Sequence, residues 1–363
     1  MTEHLPESLV RYGWDSWFAE HYRELEVPGS LPCRITSEFK NSYRTYGETG
    51  DMSAVISGKM HYYAGYGYPA VGDWVVLTPH PEGSQGTIHA VLPRKSAFSR
   101  KAAGPNIKEQ ILAANIDIVF IVSALDSGRG FNVRRIERYL TMTWKSGASP
   151  VIVLNKVDLC SNPNGLIHET EEVAMGVPVH AVSATQGTGM DDVKAHIPPG
   201  KTVALIGPSG VGKSALINAL LGEERQATGD VRAVDRKGRH TTTRRELIPL
   251  PGGGLVVDTP GMRELQMWGD EDDLQDSFED IESLARDCRF RDCTHHSEPG
   301  CAVREAIEKG DLDAGRYESY LKLQKELRFI ASREEYSIRQ EEQARWKKIS
   351  RMGKQIQKYG KNR

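Results

Sequence analysis

Four short motifs, each placed directly after an apolar run, constrain the fold of this chain more than any other feature of its sequence. In chain order they are Asn155–Asp158, Ser183-Ala184, Gly207–Ser214 and Asp258–Gly261. The runs that precede them are bounded by turns and are predicted to be short buried strands. Any one of these motifs, taken alone, can occur by chance in a chain this rich in glycine. Four motifs that each follow a predicted strand favour a shared function over coincidence.

The third motif is typical of a phosphate-binding loop. Gly207 and Gly212 allow the backbone to fold around an anion and to point its N–H groups at phosphate oxygens. Lys213 is expected to reach the β- and γ-phosphates, and Ser214 to ligate Mg²⁺ at the start of a helix, Ser214–Leu221. Asp258 is expected to approach the metal from its other side. The predicted nucleotide contacts in this part of the chain are Gly207, Pro208, Ser209, Gly210, Val211, Gly212, Lys213, Ser214, Ala215, Asp258 and Gly261.

The first two motifs predict which base is bound. The run is Asn155-Lys156-Val157-Asp158, and its carboxylate can accept hydrogen bonds from the N1–H and the exocyclic amine of guanine. Adenine lacks that pair of donors. Ser183-Ala184 is expected to place a backbone N–H against the guanine O6. The motifs together predict binding and hydrolysis of GTP, whereas an ATP-using enzyme would require that Asp158 not read the base.

The order of the motifs is unusual, because an ordinary GTPase has the phosphate loop first and the guanine readers last. Here the guanine readers come first. The chain resembles the circularly permuted GTPases, and more closely the ribosome small subunit-dependent GTPase A family of bacterial assembly factors. The resemblance extends from roughly Arg34 to the C-terminus. It rests on the four motifs together with Asn115-Ile116-Asp117, Gly238–Thr243 and Cys288–Cys301.

The resemblance implies a multi-domain α/β fold. We expect an N-terminal helical extension over residues 1–30, an OB-type β-barrel over 31–102, a circularly permuted P-loop GTPase domain with a mostly parallel sheet over 103–268, and a helical zinc-binding module with a basic tail over 269–363. It also implies a slow GTPase that is stimulated by the small ribosomal subunit and acts as a checkpoint late in maturation of that subunit. The alternative is an RNA-binding scaffold that uses GTP or GDP as a structural ligand without turnover.

Three of the five cysteines fall within Cys288–Cys301, and two histidines lie between them. Zn²⁺ favours four soft or borderline ligands in a tetrahedron, and Cys3His is a common structural set. A reducing cytosol disfavours a disulfide. We therefore predict one structural Zn²⁺ bound by Cys288, Cys293, Cys301 and a histidine. The spacing does not decide between His295 and His296, and the family resemblance favours His295.

Residues 31–100 are predicted to form short strands separated by turns, as in a small β-barrel. The predicted strands are Cys33–Ser37, Tyr43–Tyr46, Ala54–Ser57, Trp74–Thr78 and Gly86–Val91. Six of the thirteen tyrosines lie between Tyr43 and Tyr68, with basic residues nearby: Arg34, Lys40, Arg44, Lys59 and Arg94. Such a surface suits single-stranded RNA, where stacking contributes ~1–3 kcal/mol per base, but tyrosines can equally fill and rim a barrel. The resemblance implies an OB-fold that binds small-subunit rRNA.

The ends of the chain carry no catalytic motif. Ser8–Leu25 is predicted to be an amphipathic helix, and Asp311–Ser332 a helix that packs on the zinc module. The net charge of −2 hides a tail with no acidic residue after Glu342. That tail is either a solvated end or an arm that contacts RNA. Its basic residues are Arg345, Lys347, Lys348, Arg351, Lys354, Lys358, Lys361 and Arg363.

The expected location is the cytoplasm. No run approaches the ~20 apolar residues needed to span a membrane, and the first residues lack the pattern of a secretory signal. The expected partners are the small ribosomal subunit and its rRNA, with other small-subunit assembly factors as further candidates. We expect a monomer with no membrane partner.

The residue that orients the attacking water is not the usual one. Many GTPases have a glutamine just after the Asp-x-x-Gly motif, and this chain has Met262 there. The segment Arg232–Thr243 is predicted to be a switch loop in which Thr242 ligates Mg²⁺ and draws in His240, whose imidazole can orient or deprotonate water. The alternative is that His240 contacts RNA or solvent. The predicted catalytic set is therefore His240, Lys213 and Thr242, and the predicted magnesium ligands are Ser214, Thr242 and Asp258.

Overall fold

The structure, a computed structural model, describes most of the chain up to residue 325. The described residues are 5–40, 42–62, 68–81, 83–101, 109–126, 130–174, 176–224, 245–258, 278–290, 293–295, 298–318, 320–321 and 324–325. They divide into two compact units, one formed by residues 1–99 with 111–265 and the other by 100–110 with 266–363.

A closed five-stranded barrel begins the first unit. Its strands pair in the order β1-β2-β3-β5-β4 and close through an antiparallel β1–β4 pairing, with β3 and β5 parallel. Buried apolar side chains, among them Ile35, Trp74, Leu77 and Ile88, fill its interior. The predicted barrel and its five strands are confirmed. The strands are β1 Leu31–Glu38, β2 Tyr43–Gly47, β3 Gly50–Ile56, β4 Trp74–Pro79 and β5 Gln85–Val91, and helix α3 Gly58–Tyr62 follows β3.

The N-terminal extension forms two helices, so the prediction of one continuous helix over Ser8–Leu25 was wrong. Helix α1, Glu7–Val10, ends before Gly13, which has φ +86°. Helix α2, Ser16–Glu24, begins at Asp15, whose side chain accepts hydrogen bonds from two backbone N–H groups of the first turn. A left-handed residue and an N-cap in succession interrupt any helix. The ring of Trp14 then packs 4.6 Å from that of Trp74, which anchors the extension on the barrel.

The remainder of the first unit is a mostly parallel sheet covered by helices. The strands lie in the order β10-β9-β8-β11-β13-β12, and only β12 runs antiparallel to its neighbour within this part of the sheet. Their near-continuous Val, Ile and Leu content is expected of strands buried on both faces. The elements are β8 Ile118–Ala124, α4 Val133–Lys145, β9 Ser149–Asn155, α5 Pro163–Ala174, β10 Val179–Ala181, α6 Met190–Ala195, β11 Thr202–Ile206, α7 Lys213–Leu221, β12 Glu246–Pro249 and β13 Leu255–Asp258.

The barrel and the parallel sheet are hydrogen-bonded to each other. Strand β12 pairs with β1 through Ser37 and Glu246, which makes one continuous sheet of the two parts. A separate two-stranded sheet, β6 Ala97–Lys101 and β7 Glu109–Ala114, lies between them in the sequence. Among the described residues, no helix is long and apolar enough to cross a bilayer.

The described part of the second unit includes the helices α8 Glu279–Arg286 and α9 Ala302–Lys309 and the helical residues 314–318. Two nitrogens of Arg316 donate to the carboxylate of Asp280 at 2.7 and 2.8 Å. Although burial opposes it, this pairing lowers the pKa of Asp280. The rings of Phe278 and Tyr320 meet at 5.6 Å. The described part of the predicted helix Asp311–Ser332 is thus packed on α8, and its remainder and the basic tail lie outside the described residues.

Arg34 is fully buried at the junction of the extension, the barrel and the parallel sheet. Its guanidinium donates to the carbonyls of Gly72 and Asn115 at 2.9 Å each, to the Tyr12 carbonyl, and to the Thr202 hydroxyl at 3.2 Å. Burial lowers its pKa to about 10, so the side chain keeps its charge at neutral pH. Its assignment to an RNA-binding surface is therefore wrong, because no part of the side chain reaches solvent.

Replacement of Arg34 should destabilise this junction. Arg34→Met leaves several buried carbonyls without a donor, and loss of one partner of a buried charged network costs ~3–5 kcal/mol. Arg44→Met, on the exposed face of β2, is the matched control and should change stability by no more than ~0.5 kcal/mol. Urea unfolding followed by tryptophan fluorescence measures both, and equal midpoints for the two variants would contradict this account.

Candidate nucleotide and metal sites

The four predicted motifs meet at one edge of the parallel sheet. Asn155 ends β9, Ser183 follows β10, Gly207 follows β11 and Asp258 ends β13. These strands run parallel to one another through the sheet, so their carboxyl ends lie on the same side. Ligands of open α/β sheets bind at this edge. The fold therefore assembles one site from segments up to a hundred residues apart.

The phosphate loop has the backbone geometry that an anion requires. Gly207 has φ +149° and Gly212 φ +94°, both unfavourable for residues with a Cβ. A Cβ on Gly212 would lie 2.3 Å from the side-chain nitrogen of Asn155. Helix α7 begins at Lys213, so its free N–H groups face the loop. The ammonium of Lys213 donates to the carbonyls of Gly207 and Pro208 at 2.7 and 2.6 Å, which holds this charge at the loop.

Asn155 connects three of the motifs. Its Nδ2 donates to the carbonyl of Val211 in the phosphate loop at 2.9 Å, and its Oδ1 accepts from the backbone N–H of Ala184 at 3.1 Å. The side chain is buried, with 2 % exposure. Sequence reasoning assigned Asn155 and the Ala184 N–H to the nucleotide, whereas here the two groups bond to each other. The role that follows from these contacts is to hold the phosphate loop and the Ala184 loop against each other.

The two charged residues of the first motif differ in environment. Asp158 is exposed, in the short 3₁₀ helix Val157–Leu159. Lys156 is partly buried and donates from Nζ to Asp126 Oδ2 at 2.6 Å. Sequence reasoning missed Asp126, although it follows the apolar run of β8 as the other motifs follow their strands. That placement is the signal that could have identified it.

The magnesium side of the site is described only in part. Ser214 lies in the first turn of α7 and Asp258 at the end of β13, on neighbouring parallel segments of one sheet edge. Three further predicted site residues, Gly261, His240 and Thr242, lie outside the described residues, as does the switch segment 232–243.

In the second unit, Cys288, Cys293, His295 and Cys301 converge, with their ligand atoms all within 4.8 Å of one another. The Nδ1 of His295 lies 3.5 Å from the Cys288 sulfur and 3.3 Å from the Cys301 sulfur, and these two sulfurs are 3.9 Å apart. Ligand bonds of about 2.3 Å to sulfur and about 2.0 Å to nitrogen place tetrahedral ligands at separations of this size. The cluster could hold one metal ion.

The electrostatics of the cluster disfavour three free thiolates. Desolvation, together with hydrogen bonds to Cys301 and Cys288, raises the pKa of Cys293 to about 11. Three thiolates at this separation would repel one another, and a bound cation removes that repulsion because it binds the deprotonated form. His295 has φ +59°, a left-handed conformation that directs its ring into the cluster. His296, the other candidate ligand, lies outside the described residues.

The aromatic and basic residues of the barrel divide into packed and exposed groups. Tyr43 is buried, and Tyr46 stacks on Tyr12 with ring centroids 3.9 Å apart. Arg94 forms a two-nitrogen ion pair with the buried carboxylate of Asp73. These residues fill and brace the barrel. Among the residues whose side chains are described, the exposed members include Phe39, Lys40, Arg44, Lys59 and Tyr68. The side chains of Tyr62, Tyr63 and Tyr66 lie outside the described set.

Comparison with known proteins places this arrangement in a family. Residues 91–268 match the family model described as RsgA GTPase. The chain is 46% identical over 353 residues to a protein of Opitutus terrae named small ribosomal subunit biogenesis GTPase RsgA, with 94% of this chain and 96% of that protein covered. A protein of Oceanobacillus iheyensis named small ribosomal subunit biogenesis GTPase RsgA 1 is 47% identical over 333 residues, with 90% and 94% covered.

Solved structures share the fold. The crystal structure of YjeQ from Thermotoga maritima superposes with a TM-score of 0.62 at 31% identity, covering 82% of this chain and 98% of that one. The structure of YloQ, described as a circularly permuted GTPase, has a TM-score of 0.58 at 24% identity and covers 84% and 96%. With its permuted motif order, its closed barrel and its Cys3His cluster, the chain belongs to the RsgA GTPase family.

Proposed function

We propose that this protein hydrolyses GTP and acts in late maturation of the small ribosomal subunit, with slow intrinsic turnover that the subunit stimulates. The observation that carries the proposal is the contact of Asn155 with both the phosphate loop and the Ala184 loop. This contact connects the loop proposed to bind the triphosphate with the loop proposed to read the guanine. Relatives at 46% and 47% identity are named small ribosomal subunit biogenesis GTPases. Their names support the small ribosomal subunit as the particle on which this protein acts.

The geometry of the loops supports the proposed nucleotide contacts. The N–H groups of Gly207–Ser214 face the phosphates, and Lys213 supplies a positive charge to the β- and γ-phosphates. Ser214, Asp258 and, with the γ-phosphate bound, Thr242 would hold Mg²⁺, which would neutralise charge on the phosphates. The carboxylate of Asp158 reads the guanine edge, and its exposure leaves it accessible to a base. Val157, Ser183, Ala184, Ala215 and Gly261 complete the binding segments.

His240 orients the attacking water in this proposal. The residue after the Asp-x-x-Gly motif is Met262, whose thioether is a poor hydrogen-bond partner. The imidazole of a histidine can donate a hydrogen bond to water or accept one from it. The neighbouring Thr242 supplies the connection to the metal and hence to the γ-phosphate. Binding of the subunit would then favour the arrangement in which His240 faces the water.

The Cys3His cluster holds one structural Zn²⁺. Its ligand set and spacing suit Zn²⁺, and four protein ligands leave no open position for a substrate. Ligand binding in such sites contributes folding free energy to a small module. Zinc therefore stabilises the second unit rather than taking part in hydrolysis.

The barrel binds small-subunit rRNA through its exposed aromatic and basic residues. Phe39, Lys40 and Tyr68 line one cavity on the barrel surface, and exposed aromatic rings beside positive charge suit unpaired bases. The tail after Glu342, with eight basic residues, adds a sequence-independent attraction to phosphates. The protein works in the cytoplasm as a monomer, together with other small-subunit assembly factors.

Turnover separates an enzyme from a scaffold. We expect multiple-turnover release of phosphate from GTP that rises when purified small subunits, but not large subunits, are added. His240→Ala should bind nucleotide and subunits normally and lose roughly 10²-fold in stimulated turnover. His168→Ala, an exposed histidine on α5, is the control. Absence of turnover in the native protein would support the scaffold, and full stimulation of His240→Ala would assign the water to another group.

Base selection depends on the carboxylate of Asp158. Asp158→Asn replaces an acceptor by a donor at the guanine edge, so GTP binding should weaken by the value of a charge-assisted hydrogen bond, ~1.5–3 kcal/mol. Xanthosine triphosphate, which presents an acceptor there, should recover part of the loss. Competition titration against GTP, ATP and xanthosine triphosphate measures this. An unchanged affinity for GTP would mean that the base is read elsewhere.

Zinc content tests the metal cluster. Cys293→Ser should reduce bound zinc from one equivalent per chain and lower the thermal stability of the second unit, while the first unit keeps its affinity for GTP. Cys160→Ser, a free cysteine outside the cluster, should retain full zinc. Metal analysis of the purified proteins gives the answer. Equal zinc in the two variants, or none in the native protein, would remove the proposed site.

A further inference from the structure

Lys156 has a backbone conformation that few lysines adopt. Its φ is +66° and its ψ +35°, in the left-handed region that disfavours residues with a Cβ. Residues held in this region cluster at functional sites, where neighbouring structure imposes the conformation. Here the next residue, Val157, donates its N–H to the carbonyl of Val182 on the adjacent segment at 3.0 Å. The backbone at Lys156 is therefore held from outside.

The side chain of Lys156 is held as well. Its ammonium lies 2.6 Å from Asp126 Oδ2, and the two side chains are 28% and 27% exposed. A free lysine side chain samples many rotamers, and a fixed ammonium removes most of that freedom. The contact therefore sets the direction of the whole methylene stem. Because both groups are mostly shielded from water, the pair is stronger than an ordinary surface ion pair.

Asp126 is placed by the sheet. Strands β8 and β9 are parallel neighbours with Ala124 opposite Asn155, and Leu125 donates its N–H to the Asn155 carbonyl at 2.8 Å. The segments that follow the two strands, with Asp126 two residues after β8 and Lys156 directly after β9, therefore lie at the same edge. The second oxygen of Asp126, Oδ1, is buried and accepts no hydrogen bond from the described part of the chain. A mostly buried carboxylate with one described partner is costly, which points to a role beyond packing.

We propose that Asp126 is a positioning residue for guanine recognition. It holds the Lys156 stem against the face of the base whose edge Asp158 reads. The methylene groups of a lysine can lie along a flat aromatic ring while the terminal ammonium remains paired with a carboxylate. The inference rests on the proposed binding of GTP and adds to it a residue outside the four sequence motifs. In effect the guanine site extends to the end of a third strand, β8.

A double-mutant cycle tests the proposal, with a fluorescent GDP analogue as the probe. Asp126→Asn and Lys156→Met should each weaken binding about tenfold, the scale of one charge-assisted contact. The double variant should be no weaker than Lys156→Met alone, because the carboxylate acts through the lysine. Asp191→Asn removes a carboxylate from an exposed ion pair with Lys194 in the same unit, and it should bind as the native protein does.

Three outcomes would overturn the proposal: Asp126→Asn within twofold of the native affinity, losses that multiply in the double variant, or native binding by Lys156→Met. The thermal midpoint of each variant without nucleotide separates positioning from folding. Lys156→Met removes the described partner of the Asp126 carboxylate, so its midpoint should fall, and binding is measured at a temperature at which every variant is folded. This variant keeps the stem length and tests the contact if Asp126→Asn folds poorly. If Asp158→Asn shows the expected change in base preference while Asp126→Asn binds normally, only the positioning role fails and the proposed GTP site stands.

Discussion

One buried amide, that of Asn155, is the contact on which the nucleotide site depends. Its nitrogen holds the phosphate loop through Val211 and its oxygen holds the Ala184 loop. An amide supplies both a donor and an acceptor, so a single side chain can hold two separate loops. The contact also explains a constraint on the loop: a side chain at Gly212 would occupy the position of the Asn155 nitrogen. The two loops that are proposed to bind phosphate and base are thus positioned together.

The permuted order of the motifs leaves this site intact because a parallel sheet is assembled by neighbours in space. Strand β11, which delivers the phosphate loop, pairs with β8 in register from Val203 opposite Ile118, although β9 and β10 lie between them in sequence. What the permutation changes is where the chain enters and leaves the sheet. In chain order the sheet follows the barrel strands, and its last strand ends at Asp258.

The barrel is joined to the sheet by polar contacts that are unusually well satisfied. Arg34 uses its donors on three carbonyls and a hydroxyl, and Asn115 adds a bond from its side chain to the Gly72 carbonyl at 3.0 Å. Buried polar networks of this kind tolerate few alternative arrangements, because each displaced group loses a partner. The barrel and the nucleotide-binding sheet are therefore held in one relative position.

The sequence by itself determined the parts of this protein whose signals are local. Apolar runs predicted the barrel strands and the strands before each motif, and the spacing of Cys288 to Cys301 predicted a metal cluster, because strand burial and ligand spacing act over a few residues. Tertiary structure alone decided what distant residues do to one another. Arg34 is a basic residue close in sequence to several tyrosines, a pattern that suggests RNA binding. In the structure, however, its side chain donates to the carbonyls of residues 12, 72 and 115. Asp126 belongs to no motif, and only the pairing of β8 with β9 brings it to Lys156. Such partnerships depend on chain segments that meet after folding, so no short pattern encodes them.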